Sequence, residues 1–489
     1  MEEEHRLIVQ RKQKLQELKK NNIDPYPYKF DKKDNSKDIL ENFKKLKKEE
    51  KAKEKVSIAG RIMSLRIMGK VSFGHLQDAH GKIQFYIKED EVGKKEYNTF
   101  KKFDLGDFMG IKGNVFRTKR GEISIWVNKV ELLSKSLRPL PEKWHGLKDI
   151  EIRYRQRYLD LLINHDVKEI FLKRSDIIKA IREFLDSKGF IEVETPLLQP
   201  LYGGANARPF KTKINAYNMD MYLSISPELY LKRLIIGGFE KVYTISKNFR
   251  NEGVDKSHNP EFSMLEFYWA YADYNDIMGI TEDLINYVAK KVNKSTKIKY
   301  QDKNIELKKP WKKLSMNNAI KKYLNINVEK LSDDDIKNYL RDNNIEYQGD
   351  FNRGLATELI FETLVQDKLI QPVFIIDHPK ESTPLCKPKR GNNHLIERLE
   401  PYVYGWELGN GYSELNDPIL QRELLEEQAK QRVIDEENHP VDEDFIKALE
   451  YGMPPTGGMG IGIDRLTMIL TDSPTIRDVI FFPVMKPEK

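Results

Sequence analysis

Two arginine-bearing segments, far apart in this chain, constrain how it can fold. The first consists of residues 249–253, of sequence FRNEG, followed by residues 258–262, of sequence HNPEF; the second is residues 460–465, of sequence GIGIDR. Each places an arginine next to a stretch where backbone can come close to a polyanion. Several carboxylates and a phenylalanine, Phe262, accompany them. This combination predicts a fold that brings both segments around a bent nucleotide triphosphate with a metal ion on its phosphates.

The length and composition of the chain exclude several classes of protein. A chain of 489 residues, 39% hydrophobic and 33% charged, is long enough for two or more domains and is typical of a soluble protein. The N-terminus is acidic, and the apolar runs are far shorter than a membrane span. We therefore expect a cytoplasmic protein without a signal peptide or a membrane segment.

Cysteine content and net charge limit the cofactors and partners. The single cysteine, Cys386, excludes an internal disulfide and a cysteine-bound zinc cluster, so oxygen or histidine ligands would hold any metal. The formal net charge of +7 is compatible with RNA binding, although solvated lysine-rich faces are the commoner explanation of such an excess.

The chain divides into four segments that differ in composition and in hydrophobic pattern. Residues 1–55 are rich in Lys and Glu and predict a charged helical extension, either solvated or in contact with RNA. Residues 56–136 contain about five short strands separated by glycine turns, which predicts an OB-type β-barrel. Residues 137–165 are predicted to be a linker, and residues 166–489 a large α+β domain. A polar stretch at about 290–370 predicts a helical insertion in that domain.

Four side chains of the predicted barrel are suited to contact unpaired bases. Phe73 and Gln84 are expected on the same surface as Arg61, and Glu122 lies at a turn. An exposed aromatic ring flanked by hydrogen-bonding side chains offers stacking and edge contacts to bases. The pattern alone explains Phe73 equally well as a residue of the barrel core.

The first arginine segment is predicted to lie at the loop of an antiparallel strand pair that spans residues 242–268. Side chains alternate along a strand, so residues two apart share a face. By this rule Arg250 and Glu252 share a face at the first strand, and Met264, Glu266 and Tyr268 share a face of the returning strand. Burying an arginine and two acids without partners is costly, so a ligand with both charges is expected there. A structural cluster of salt bridges is the alternative.

The C-terminal glycine run, residues 456–462, precedes a predicted helix that begins at Ile463. Glycines leave room for a group that passes close to the backbone, although most glycine runs are simple turns. Asp464 lies near the N-terminus of this helix, and Arg465 projects from its first turn. A second arginine is thus expected opposite Arg250.

Two glutamates, Glu400 and Glu407, are candidates for a metal site. Strict alternation would place them on opposite faces of one strand, so we expect a bend at Gly405 that lets them converge. Paired carboxylates without cysteine suit Mg²⁺ bound to phosphates.

A further group of residues predicts an acidic pocket. Asn410, Tyr412 and Glu414 recur at a spacing of two and so share one strand face, and Glu228 offers another acid. A pocket rich in carboxylates and served by one arginine suits a small molecule with two ammonium groups and one carboxylate.

Together these segments resemble the class II lysyl-tRNA synthetases from residue 56 to the C-terminus. Residues 249–262 resemble motif 2 of that family, residues 460–465 its motif 3, and residues 189–196 its motif 1. Three further segments are also similar to family sequences: residues 155–161, 203–205 and 407–417. The resemblance implies an OB-fold anticodon-binding domain and a catalytic domain built on an antiparallel sheet flanked by helices.

The resemblance also implies roles for individual residues and a homodimer formed through motif 1. The catalytic residues would be Arg250 and Arg465, and the ligands of Mg²⁺ would be Glu400 and Glu407. The ATP-binding residues would be Arg250, Glu252, His258, Asn259, Phe262, Glu400, Glu407 and Arg465. The residues that bind L-lysine would be Gly204, Glu228, Arg250, Glu266, Tyr268, Asn410, Tyr412 and Glu414. The residues that read the anticodon of tRNA(Lys) would be Arg61, Phe73, Gln84 and Glu122.

The implied activity is the activation of lysine by ATP and its transfer to the terminal ribose of tRNA. Three alternatives remain open at this point. They are an aspartyl- or asparaginyl-type synthetase of the same subclass, a paralogue that transfers lysine to a protein, and a non-catalytic RNA-binding relative. The protein-modifying paralogue resembles only the catalytic domain, and degenerate motifs would mark the non-catalytic relative.

Glu414→Gln is expected to weaken the use of lysine far more than the use of ATP. Removing one buried partner of an ammonium group costs about 2–5 kcal/mol. Michaelis constants for both substrates in pyrophosphate exchange measure this, and equal effects on the two constants would contradict the assignment.

Overall fold

The computed structural model describes residues 2–141, 147–431 and 441–488. The chain divides into two compact units, Met1–Gly146 and Leu147–Lys489. The predicted linker, residues 137–165, spans this division, and its residues 142–146 lie outside the described part.

The first unit is a closed five-stranded barrel with the strand order β1-β2-β3-β5-β4, as predicted. Its strands are β1 (Lys51–Met68), β2 (Val71–Gln77), β3 (Lys82–Lys88), β4 (Phe108–Arg117) and β5 (Ile123–Ser134). Its helices are α1 (Glu2–Lys20), α2 (Ser36–Asn42), α3 (Glu89–Val92) and α4 (Lys94–Phe100). Alternate residues of β2 and β3 are buried, because one face of each strand points into the barrel.

The N-terminal helices pack on the barrel. Leu18 of α1 and Ile39 of α2 are buried in the same hydrophobic cluster as the barrel strands. The guanidinium of Arg11 donates to the carbonyls of Leu105 and Arg138. Residues 1–55 are therefore part of the first unit, and one side of the extension faces the barrel.

The second unit contains a large, mostly antiparallel sheet flanked by helices. Its strands are β6 (Ile191–Glu192), β7 (Leu198–Gln199), β8 (Lys211–Ile214), β9 (Met219–Leu223), β10 (Lys241–Phe249), β11 (Glu261–Ala270), β12 (Lys297–Tyr300), β13 (Lys303–Glu306), β14 (Lys312–Ser315), β15 (Val373–Pro379), β16 (Pro388–Lys389), β17 (Asn392–Val403), β18 (Trp406–Glu407), β19 (Gly409–Ser413) and β20 (Thr456–Gly462). The main sheet has the order β14-β15-β17-β19-β20-β11-β10-β6, with β16 and β18 paired to β17. This architecture confirms the predicted fold class.

The helices of this unit cover the sheet and connect its strands. They are α5 (Ile150–Arg155), α6 (Arg157–Ile163), α7 (His165–Ser187), α8 (Glu228–Ile236), α9 (Tyr274–Asn293), α10 (Met316–Leu324), α11 (Asp333–Asp342), α12 (Arg353–Leu364), α13 (Pro418–Gln431), α14 (Glu443–Glu450), α15 (Ile463–Thr471) and α16 (Ile476–Val479). Helices α7, α9 and α15 share one hydrophobic core with the central strands. No helix in the described ranges is both long and apolar enough to span a membrane.

The stretch at about 290–370 combines helices with strands. Strands β12 and β13 form a hairpin, and β14 pairs parallel to β15 at the edge of the main sheet. Helices α10, α11 and α12 bury their apolar faces in a separate cluster with Val373, Ile375 and Tyr402. This stretch therefore contributes an edge strand to the main sheet as well as helices.

Central strands bring the two arginine segments together. Strands β10 and β11 form the predicted antiparallel pair, in which Phe249 lies opposite Glu261. Strand β11 also pairs with β20, which places Glu266 opposite Gly460. The carboxylate of Asp464 accepts the backbone N–H of Ser263 at 2.7 Å, and Arg174 lies 2.7 Å from the same carboxylate. Helix α15 is thereby tied to β11.

Candidate active site

A cavity of about 510 Å³ lies over the central strands of the second unit. All but one of the residues predicted to bind ATP or lysine line it. They are Gly204, Glu228, Arg250, Glu252, His258, Asn259, Phe262, Glu266, Tyr268, Glu407, Asn410, Tyr412, Glu414 and Arg465. The exception is Glu400, which is only 5% exposed and is absent from the lining formed by the described residues.

One end of the cavity is defined by two arginines. Arg250 follows β10 directly, and its guanidinium lies 5.1 Å from the ring centre of Phe262. Burial lowers the pKa of Arg250, against the attraction of Glu252 and Glu407, and the charge of Arg465 acts in the same direction as burial. The Nε of Arg250 has no hydrogen-bond partner among the described residues. Two guanidinium groups that line one cavity suit an anionic ligand, which would compete with Glu252 and Glu407 for them.

The loop between β10 and β11 has its own hydrogen bonds. The side chain of Asp255 accepts the backbone N–H groups of Ser257 and His258, and it contacts the His258 ring at 3.0 Å. Glu252 accepts the backbone N–H of Arg208 at 3.3 Å. Asn259 donates to the carbonyl of Glu261, which orients its side chain at the edge of β11.

The other end of the cavity is acidic. Glu228, Glu266 and Glu414 are all buried there. Ser226 and Tyr268 donate hydrogen bonds to the carboxylate of Glu266 at 2.9 Å and 3.2 Å. Burial, followed by the charge of Glu228, raises the pKa of Glu266 to about 8.

A buried lysine lies among these acids. Lys232 follows Glu228 by one turn of α8, and its Nζ lies 2.6 Å from Glu228 Oε1 and 2.5 Å from Glu414 Oε2. Burial opposes the charge on Lys232, but the two carboxylates outweigh it and raise its pKa. Burial also raises the pKa of Glu414 to about 8, with Lys232 acting against it. Glu414 Oε1 is left without a hydrogen-bond partner within the described ranges.

Glycines make room for the acidic end. A methyl group on Gly458 would lie 2.1 Å from Glu414 Oε1 and 2.4 Å from Tyr268 Cε1, so only glycine fits without displacement. Gly204 has a positive φ of 83°, and a methyl group there would lie 3.0 Å from the Cβ of Glu228. The prediction that the glycine run passes close to another group is confirmed, and that group consists of the side chains of Glu414 and Tyr268.

Glu400 and Glu407 converge as predicted. Tyr404 and Gly405 both have positive φ and turn the chain, so that Tyr402 pairs with Glu407. Glu400 and Tyr402 lie two residues apart on β17 and so share a face with Glu407. Burial and the charge of Glu400 raise the pKa of Glu407.

Both oxygens of Glu400 are engaged inside the protein. Arg398 donates to Oε1, and the hydroxyl of Tyr402 donates to Oε2 at 2.9 Å. Glu407 Oε2 lies 3.2 Å from Arg465. Among the described residues no cluster of three or more Asp, Glu, His or Cys side chains is arranged to hold a metal. Two carboxylates still suit Mg²⁺, which usually binds one or two protein carboxylates and takes its other ligands from phosphates and water.

Three residues of the site were missed by the sequence analysis: Lys232, Arg398 and Glu362. Lys232 lies four residues after Glu228, so a helical reading of that segment would have paired them. Arg398 precedes Glu400 by two residues and shares its strand face. Glu362 lines the cavity from α12, and burial with the charges of Glu358 and Glu400 raises its pKa to about 7. No local pattern marks Glu362.

In the first unit, the four predicted base-contacting residues lie on the outside of the barrel or at its rim. Gln84 donates to Glu122 at 2.8 Å, and Ser124 donates to Gln84 at 2.7 Å. Phe73 is half-buried between the buried residues Ser72 and Gly74, so the alternative that it belongs to the barrel core is wrong. Among the described residues of the barrel, Arg61 is not in contact with the other three. Its guanidinium lies beside Phe108, 4.2 Å from the ring centre.

Comparisons with protein families match both units. Residues 149–486 match the tRNA synthetases of class II (D, K and N), and residues 56–133 match the OB-fold nucleic acid binding domain.

Full-length relatives are also similar to this chain. It is 52% identical to the lysine--tRNA ligase of Clostridium novyi (strain NT), over 99% of this chain and 95% of that protein. It is 53% identical to the protein of the same name from Clostridium perfringens (strain ATCC 13124), over 98% of this chain and 96% of the relative. The lysine--tRNA ligase of Clostridium botulinum (strain Hall) is 51% identical over 100% of this chain and 97% of its own length.

Gly458→Ala is expected to lower the melting temperature by several degrees. The added methyl group displaces Glu414 and Tyr268, and overpacking of this kind costs about 1–3 kcal/mol. Gly279→Ala is the matched control, because Gly279 lies within α9 with open space around it, and alanine favours a helix by about 1 kcal/mol. Thermal unfolding of both variants measures the effect, and a Gly458 variant as stable as the control would contradict it.

Proposed function

The chain belongs to the class II tRNA synthetase family of the D, K and N group, and we propose that it is a lysine–tRNA ligase. It would use ATP to convert L-lysine to lysyl-adenylate and would then transfer the lysyl group to tRNA(Lys). The family and the full-length relatives support an aminoacyl-tRNA ligase.

The observation that carries the choice of lysine is the charge of the acidic end. Three carboxylates, Glu228, Glu266 and Glu414, are buried beside the ammonium of Lys232, the one buried lysine paired with them among the described residues. Lys232 balances the charge of one of the three carboxylates. The other two must be balanced by positive charges on the ligand or be protonated. Lysine brings two ammonium groups, and its carboxylate would be left for Arg250. Glu228 would take the α-ammonium, and Glu266, Tyr268 and Glu414 the side-chain ammonium.

The same charges argue against the alternatives. Aspartate would place a second carboxylate among three buried acids, and asparagine, which has only its α-ammonium, would leave one of them unmatched, both of which are costly in a buried site. A paralogue that modifies proteins would resemble only the catalytic domain, whereas this chain also has the barrel. The intact set of Arg250, Arg465 and Glu407 around one cavity disfavours a non-catalytic relative.

The chemistry follows from alignment and charge. The lysine carboxylate would attack the α-phosphorus of ATP, forming the acyl–phosphate bond and releasing pyrophosphate. Arg250 would hold the carboxylate and the α-phosphate together while negative charge shifts toward pyrophosphate, and Arg465 would hold the far end of a bent ATP. Phe262 would stack on the adenine, with Glu252, His258 and Asn259 around it. Mg²⁺ on Glu407 and Glu400 would neutralise phosphate charge.

Transfer and tRNA recognition involve both units. The ribose hydroxyl at the 3′ end of tRNA would attack the lysyl carbonyl, which releases AMP. Arg61, Phe73, Gln84 and Glu122 would read the anticodon, because the Gln84–Glu122 pair offers hydrogen bonds and Phe73 offers a half-exposed ring.

A second copy of the chain is the proposed partner at motif 1. Large apolar side chains are exposed in motif 1 or within a few residues after it, namely Ile191, Leu197, Leu198 and Leu201. Exposed apolar side chains concentrated in one segment are suited to cover one another across an interface. Sedimentation equilibrium tests the proposed homodimer.

The function is tested by ATP–pyrophosphate exchange with each of the twenty amino acids, followed by charging of unfractionated tRNA. Lysine alone is expected to support both reactions, because an amino acid with only its α-ammonium leaves one buried acid unmatched and the guanidinium of arginine is larger than an ammonium group. Exchange that depends on aspartate or asparagine, or no exchange with any amino acid, would contradict the assignment.

Lysine binding is expected to release protons at neutral pH. Burial raises the pKa of Glu266 to about 8 and also raises that of Glu414, so the Glu266 carboxyl is largely protonated at pH 7. Incoming ammonium groups favour the charged carboxylates, lower both pKa values and expel protons. The association constant should therefore rise from pH 6 to pH 8 and level off above. Calorimetry at pH 7 in buffers of different ionisation enthalpy measures the released protons, and Glu266→Gln should release fewer. An association constant independent of pH over this range would overturn the expectation.

A further inference from the structure

Glu400 is held away from the cavity. Arg398 and the hydroxyl of Tyr402 each donate to one of its oxygens, and its side chain is almost fully buried. Each oxygen keeps a second lone pair, but turning one of them toward a metal ion in the cavity would weaken at least one of these hydrogen bonds. The guanidinium of Arg398, 13% exposed and part of the cavity lining, is the donor that faces the cavity.

The same guanidinium also contacts Asn410 and Glu358. Its Nε donates to Asn410 Oδ1 at 3.1 Å, and its Nη1 donates to Glu358 Oε1 at 3.1 Å. Asn410 in turn donates to the hydroxyl of Tyr412 at 2.6 Å. Both Asn410 and Tyr412 line the cavity. One rigid planar group therefore joins the candidate metal carboxylate to the proposed amino-acid pocket.

These contacts compete with one another for Arg398. If Glu400 turns an oxygen toward a metal, Arg398 loses part of that charge-assisted bond and depends more on Asn410 and Glu358. A ligand packed against Tyr412 and Asn410 would hold the Asn410 oxygen toward Arg398. The release of Glu400 then costs less.

We propose that Arg398 is a positioning residue through which lysine and magnesium–ATP strengthen each other's binding. This proposal rests on the proposed function, because it takes lysine and magnesium–ATP as the two occupants. Lysine fixes Asn410, Asn410 holds Arg398, and Arg398 frees Glu400 for the metal. By thermodynamic reciprocity, magnesium–ATP raises the affinity for lysine by the same factor.

The coupling factor is the ratio of lysine dissociation constants measured without and with a non-hydrolysable ATP analogue and Mg²⁺. Calorimetry on the full chain gives both constants without turnover. The wild type is expected to show a factor of about 10 or more, and Arg398→Lys about 2, because the substituted side chain presents its three N–H donors from one nitrogen and lacks the rigid planar fork that spans Asn410, Glu358 and Glu400. Direct contacts between the two substrates account for the remainder.

Two further variants separate positioning from general stability. Arg390→Lys is the matched control, because Arg390 is paired to Glu397 and Asp273, is 66% exposed and lies outside the main cavity lining. It should keep the wild-type factor. Asn410→Ala removes the partner of Nε and leaves Arg398 itself unchanged, so it should lower the factor as Arg398→Lys does. The double variant should show no additional loss.

The outcomes distinguish the two proposals. Lysine that does not bind the wild type refutes the proposed function. A wild type that binds both ligands with a factor near 1, or a factor unchanged in both Arg398→Lys and Asn410→Ala, refutes the role of Arg398. If Arg398→Lys fails to fold, Asn410→Ala alone decides the question. A lower melting temperature with an unchanged factor would assign Arg398 a structural role only.

Discussion

Unmatched charge buried in one cavity is the constraint on which the rest of this structure depends. Two arginines face the cavity at one end, and three carboxylates with one lysine lie at the other. Glu252 and Glu407 partly balance the two arginines, whereas the three acids outnumber Lys232, and burial raises the pKa values of Glu266 and Glu414 because it disfavours the charged carboxylates. A ligand that brings ammonium groups to the acids and a negative charge to Arg250 matches the charges that remain. Specificity and affinity thus have the same physical source.

Such an arrangement requires a rigid scaffold, because like charges would otherwise move apart. Strand β20 supplies it between β19 and β11, and its glycines let Glu414 and Tyr268 approach the backbone. Asp464 ties the start of α15 to β11 through Ser263 and Arg174. Arg398 and Arg465 each hold one of the two converging glutamates, Glu400 and Glu407. The positions of the charged groups are therefore fixed by strand pairing and by hydrogen bonds to other charged groups.

Much of this arrangement follows from local rules. Alternation along strands placed Glu266 with Tyr268 and Asn410 with Tyr412, and both pairs are hydrogen-bonded. The bend at Gly405 followed from the need to bring Glu407 beside Glu400. The strands of the barrel also follow from alternation, whereas only the structure showed that Phe73 faces outward. By contrast, Lys232 and Arg398 were missed although each lies at a local spacing from one partner, Glu228 or Glu400, because their other partners are set by packing between elements. Glu362 carries no local signal, and Glu400 proved more enclosed than a simple metal ligand.

The amino-acid sequence alone determined the types of charged group, their faces on each strand and the turns between them, because alternation and glycine act over a few residues. It also carried the family resemblance that the full-length relatives support. The tertiary structure alone decided how these charges are shared among several partners. Lys232 is shared by Glu228 and Glu414, and Arg398 by Glu400, Glu358 and Asn410. Electrostatic pairing depends on distances across the fold and on burial, and neither is encoded in the spacing of residues along the chain.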